Sequence, residues 1–147
     1  MDTSLQGECN CGAVKFEVLT PIRSIYKCYC TLCQKQSGTA SNAATLVQAS
    51  DFRWVGTTDG IKVWQKNSGF NSHFCVTCGS PVPNVIGDKY MWIPVGLIGS
   101  VDAEVAINIF EDTRPQWEDV CVNKIGAKDS VKTVDDLANY LANHTRT

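Results

Sequence analysis

Seven of the eight cysteines in this chain fall into three short clusters, and that pattern constrains its fold more than any other feature. The clusters are Cys9-Asn10-Cys11, Cys28-Tyr29-Cys30-Thr31-Leu32-Cys33 and Cys75-Val76-Thr77-Cys78, with Cys121 standing apart. Disulfide frameworks spread their cysteines through loops. Cys-x-Cys and Cys-x-x-Cys neighbours are also too close for ordinary unstrained disulfides with each other, redox pairs excepted. Clustered thiols in a reducing compartment point instead to bound metal.

Size and charge narrow the setting. A chain of 147 residues with 44% hydrophobic content has enough material for one domain with its own core, so residues 1–147 are expected to form a single domain. A formal net charge of −2 offers no basic footprint for nucleic acid or for an anionic membrane. Met1 to Gln6 lacks a charged-then-apolar leader, and no apolar run approaches the roughly 20 residues needed to span a bilayer. The expectation is a soluble, cytoplasmic protein without membrane or nucleic-acid partners.

Most of the chain has strand character. Val14, Phe16 and Val18 alternate with Lys15 and Glu17, which predicts a half-buried strand over Ala13 to Val18. Ile25 to Cys30 reads as a second strand, followed by a helical turn from Thr31 to Gln36 that Gly38 stops. Ala43–Val47, Phe52–Val55, Ile61–Gln65, Tyr90–Leu97 and the alternating Val105, Ile107 and Ile109 supply further strands. Turns fall at Gly56, Asp59-Gly60, Asn67-Ser68-Gly69 and Gly99. Only the tail, about 133–143, is clearly helical. Thr133 caps it, Asp135 and Asp136 suit the positive end of the helix dipole, and Val134, Leu137, Tyr140 and Leu141 form an apolar stripe. The fold class is therefore mainly β, one domain with a short C-terminal helix. Trp64, Trp92 and Trp117 are assigned to its core.

Cys9 and Cys11 lie two residues apart on or beside a strand, which sends both side chains to one face. Cys75-Val76-Thr77-Cys78-Gly79 has the form of a metal-binding knuckle, with Gly79, like Gly12 after Cys11, suited to a positive φ. Cys9, Cys11, Cys75 and Cys78 together give the closed tetrahedral sulfur set of structural zinc, although iron also accepts four thiolates. Such an ion closes a long loop.

Cys28, Cys30 and Cys33 present three thiolates. Three protein ligands with one exchangeable position is the arrangement of catalytic zinc. Two alternatives stay open: a fourth ligand from Cys121, His73 or His144, or thiols that carry no metal. Three thiolates leave Zn²⁺ with net charge −1, a poor activator of water but a good holder of an added thiol as its thiolate. The cluster thus favours thiol chemistry.

At these residues the sequence resembles the glutathione-dependent formaldehyde-activating enzyme family, which also contains centromere protein V. The matching stretches are Gly7-Glu8-Cys9-Asn10-Cys11-Gly12-Ala13-Val14, the run from Cys28 to Gly38, and Phe74-Cys75-Val76-Thr77-Cys78-Gly79-Ser80-Pro81. Pro94-Val95-Gly96-Leu97 and Arg114-Pro115-Gln116-Trp117 match less closely, and the likeness spans about residues 7–120. It implies several small antiparallel sheets held by zinc, similar to the methionine-R-sulfoxide reductase fold. It also implies two Zn²⁺ sites: a structural one at Cys9, Cys11, Cys75 and Cys78, and a catalytic one at Cys28, Cys30 and Cys33. The implied activity is that of a carbon–sulfur lyase joining glutathione, or a similar thiol, with formaldehyde or a related small aldehyde. Gln34, His73 and Asn108 depart from the family's pattern, where Arg, a basic residue and His are common.

Glutathione has two carboxylates and needs cationic partners, for which Lys35 is the first candidate and Lys27 and Arg114 follow. His73 could titrate near neutral pH and serve as a base, beside its plainer reading as an ordinary strand or surface histidine. Two further functions compete with the lyase. One is a non-catalytic zinc module or glutathione carrier. The other is methionine sulfoxide reduction, suggested by Cys121-Val122-Asn123 and opposed by the Cys-x-Cys form of the first pair.

Overall fold

A computed structural model describes residues 4–118 and 131–145. The chain divides into two compact units, Met1–Pro21 with Leu46–Val101, and Ile22–Thr45 with Asp102–Thr147. Among the described residues no helix is long and apolar enough to cross a membrane.

In the first unit, β1 (Leu5–Glu8), β2 (Lys15–Val18) and β5 (Phe52–Val55) form an antiparallel sheet with β2 in the centre. The alternation read from the sequence sends Phe16 and Val18 inward, 1% and 0% exposed. Phe16 stacks on Phe52 at 5.5 Å and meets the edge of Trp54 at 6.4 Å. Opposite Phe16 in register stands Gly7. A Cβ there would come within 2.2 Å of the Phe16 ring, so only glycine lets that ring lie across β1. The unit also holds two hairpins, β6 (Ile61–Gln65) with β7 (Asn71–Cys75), and β8 (Asn84–Ile86) with β9 (Tyr90–Pro94). Residues Val95–Leu97 leave the strand and form a 3-10 turn.

In the second unit β3 (Ser24–Cys28) pairs in antiparallel register with the first residues of β4 (Asn42–Gln48), Asn42 to Ala44, and in parallel with β10 (Glu104–Ile109). The parallel pairing is a departure from all-antiparallel sheets. Helix α1 (Thr31–Ser37) follows β3 and ends at Gly38, whose φ of 70° permits the left-handed cap. Helix α2 (Val134–Asn143) begins in a capping box in which Thr133 and Asp136 bond each other's backbone N–H groups. It buries Leu137 and Leu141, while Tyr140 stacks on His144.

Further sequence expectations need correction. Trp92 is buried, but Trp64 and Trp117 are 53% and 72% exposed. Trp64 lies on a two-stranded ribbon whose Ile61–Cys75 end alone joins a packed cluster, and a lone hairpin cannot bury both faces. Trp117 stands in the turn after Pro115, where no pleat directs its ring inward. Cys9 and Cys11 lie beside a strand, in the turn that joins β1 to β2, closed by the Gly12 N–H donating to the Cys9 carbonyl. Finally, β3 stops at Cys28, so Cys30 leaves the strand and caps α1.

Candidate metal centre

None of the seven clustered cysteines is joined in a disulfide. They sort into two groups, Cys9 with Cys11, Cys75 and Cys78 in the first unit, and Cys28 with Cys30 and Cys33 in the second. Within each group the sulfurs lie no more than 4.8 Å from one another.

The quartet is built from two tight turns. After β1 the chain reverses through Cys9–Gly12, and after β7 it reverses through Cys75–Gly79; each turn ends on a glycine with φ of 79°. The Cys9 and Cys11 sulfurs are 3.6 Å apart, and those of Cys11 and Cys75 are 3.7 Å apart. A tetrahedral ion with metal–sulfur bonds of about 2.3 Å has sulfur–sulfur edges of about 3.8 Å. A disulfide would need about 2.05 Å. The spacing therefore fits a four-thiolate metal site. Val14 donates its N–H to the Cys9 sulfur at 3.3 Å, a bond that favours the ionised form of the ligand. Ser80, a buried residue, serves both turns. It accepts the Asn10 N–H at 3.1 Å, and its hydroxyl lies 3.3 Å from the Cys78 sulfur, holding that thiol well down, at about 5. Val14, Val82, Trp54 and Ile61 pack round the sulfurs and limit water on that side.

The trio is positioned differently. Cys28 ends β3 and is buried, flanked by Asn42 of β4 and Ile109 of β10. Cys30 caps α1, its sulfur accepting the Cys33 N–H at 3.3 Å, and Cys33 follows in the first turn of the helix. Hydrogen bonding from Cys33 brings the Cys28 thiol down to about 7, while the same contact and burial push Cys33 far up. Crowded sulfurs tolerate one negative charge among them and hold their other protons tightly, which produces that split, and a cation would remove it by ionising all three. Among the described residues no fourth Cys, His, Asp or Glu shares this spacing. His144 is engaged elsewhere, with Nε2 2.6 Å from Glu104 Oε1. His73 lies on β7 and belongs to neither group; partial burial lowers its pKa, which favours the neutral ring. Cys121 falls outside the described residues.

Of the cationic candidates, Lys35 lies exposed on the last turn of α1, two residues beyond Cys33. Lys27 is half-buried beside Cys28, and Arg114 donates to the Glu118 carbonyl. Ser80, Tyr29 and Thr113 were not anticipated as part of either site. Ser80 alone had a local signal, a hydroxyl placed two residues after the knuckle.

Fold and sites together define a strand-built protein with two cysteine clusters of metal-binding geometry. A family model described as glutathione-dependent formaldehyde-activating enzyme matches residues 4–121, and the chain belongs to that family. A relative in Halomonas elongata, described as "Putative glutathione-dependent formaldehyde-activating enzyme", is 25% identical over 127 residues, covering 79% of this chain and 80% of its own. A crystal structure of a Rhodobacter sphaeroides protein superposes with a TM-score of 0.52 at 22% identity, covering 68% of this chain and 100% of that one. That likeness supports the fold.

Proposed function

We propose that the chain joins a glutathione-type thiol with formaldehyde or a related small aldehyde, as a carbon–sulfur lyase with two zinc sites. The observation that carries this reading is the grouping of three thiols, Cys28, Cys30 and Cys33, within 4.8 Å of one another, beside a separate set of four. The quartet would hold a structural ion, since four thiolates fill a tetrahedron. The trio would hold the second and leave one position for substrate.

Zinc held by the trio would supply the positive charge that keeps an incoming thiol ionised near neutral pH. The protein's own residues do the rest. Cys28, with its thiol near 7, is already part-ionised at neutral pH and readily becomes a ligand. Lys35, with Arg114 and Lys27, offers positive charge to the carboxylates of a glutathione-type substrate. The new bond forms between the substrate sulfur and the aldehyde carbon, and the thiol's proton ends on the former carbonyl oxygen. Holding both reactants replaces a chance encounter by a fixed one, the usual source of rate in such additions.

Free clustered thiols suit a reducing, cytoplasmic setting. We keep the chain as one folding domain, because each compact unit is assembled from two separated stretches.

Zinc content measured with and without glutathione, together with calorimetry of glutathione binding, tests the reading. Two zinc ions per chain and measurable heat are expected. One zinc per chain and no heat would overturn it in favour of a non-catalytic module.

A further inference from the structure

We propose that Gln34 is a positioning residue of the second cluster, clamping with Thr113 the peptide that links Cys28 to Cys30. The inference rests on reading the three thiols as a metal site. Gln34 Nε2 lies 2.9 Å from the Tyr29 carbonyl oxygen and 2.9 Å from that of Thr113. Both partners are acceptors, so the group facing them must be the amide NH₂, with one proton for each.

The Thr113 hydroxyl donates to the same Tyr29 carbonyl at 2.7 Å, which occupies that oxygen's second lone pair. On the other side the Tyr29 N–H donates to the Ile109 carbonyl at 2.9 Å, and the Tyr29 side chain is fully buried. The residue between the two ligands is thus held on every side. Gln34 also grips the loop through its own N–H, which donates to the Cys30 carbonyl at 3.0 Å.

Ligand spacing in a metal site is only as firm as the backbone that carries it, and outer hydrogen bonds of this kind are worth about 10–100-fold in metal affinity. A glutamate at position 34 would keep the shape of the side chain and lose both donors, turning an oxygen towards two carbonyl oxygens. Arginine would keep donors there. Shape and hydrogen bonding are thereby separable.

The test uses the full chain loaded with zinc and titrated with a chromophoric chelator, then repeated with Co²⁺, whose thiolate absorption reports sulfur geometry. Gln34→Glu is expected to weaken the more loosely held equivalent by about 10–100-fold and to shift its cobalt band, with the tighter equivalent unchanged. Thr113→Val should act in the same direction, more weakly. Gln34→Arg should keep the affinity near that of the parent chain, short of the roughly 10-fold loss that marks a missing outer hydrogen bond.

Wild-type affinity and cobalt band in Gln34→Glu would overturn the clamp, as would a lowered melting temperature with unchanged metal binding. If Gln34→Glu loses both metals by unfolding, Thr113→Val decides, and an unchanged second equivalent in that variant overturns the proposal. A parent chain that binds only one equivalent overturns the metal reading itself, independently of the variants.

Discussion

The sulfurs of Cys11 and Cys75 lie 3.7 Å apart although 64 residues separate them in the chain. Each comes from a turn that a positive-φ glycine closes, and neither turn makes a metal site by itself. An ion there would close a long loop whose two halves meet round Val14, Val82, Trp54 and Ile61. Folding and metal binding are then one event.

Cys75→Ser should accordingly lose the fold. The ion of a structural four-thiolate site contributes about 10–16 kcal/mol in small zinc domains, comparable with or above the ~5–15 kcal/mol stability of a whole domain. Circular dichroism and zinc content together check this outcome: the strand signal should collapse and the quartet's zinc disappear. A native spectrum with the full metal content would contradict it.

Cys30→Ser should behave in the opposite way. It removes one ligand of the trio at the start of a short helix and leaves the quartet intact. The fold should persist with one zinc per chain, while thiol binding and turnover fall by about 100-fold or more, as for loss of a group acting directly on the reactant. Turnover at the parent rate with a single zinc would dismiss the trio as the reacting site.

Gly7→Ala tests the sheet. The added methyl would stand 2.2 Å from the Phe16 ring, which is fixed between Phe52 and Trp54. Overpacking of this kind costs about 1–3 kcal/mol, so the denaturant midpoint should drop at unchanged slope. An unchanged midpoint would mean that the ring moves freely.

Ser80→Ala predicts a change in the pH dependence of metal retention. The Ser80 hydroxyl is the largest of several hydrogen bonds that hold the Cys78 thiol down, at about 5, below the ordinary thiol range. A low pKa lets the thiolate resist protons to lower pH, so zinc stays bound further into acid. Without the hydroxyl the thiol rises towards its ordinary value, and protons compete for the sulfur sooner. The midpoint of zinc release, followed with a chromophoric chelator, should therefore move to higher pH. A midpoint that stays in place would remove Ser80 from the account.

The strands most legible in the sequence were those whose own side chains alternate. Phe16 and Val18 on β2 show that pattern directly, and β9 was legible in another way, as a short continuous apolar run. β1 and β7 showed neither, because Leu5-Gln6-Gly7-Glu8 and Asn71-Ser72-His73-Phe74-Cys75 are largely polar. Their strand state comes from register with β2 and β6 rather than from their own propensity. The outward position of Trp64 was equally hidden, since large aromatics ordinarily fill cores.

Cysteine number and spacing, the cap of α2 and the glycines that end each metal turn are local chemistry, and the sequence alone determines them. Ligand geometry within a turn depends on a few neighbouring φ and ψ angles, so spacing suffices to read it. Contacts between distant segments depend on packing that no short window contains. The parallel pairing of β10 with β3, the Ser80 bridge across 70 residues to Asn10, and the Gln34–Thr113 contact across 79 residues were decided only when the tertiary structure brought those segments together.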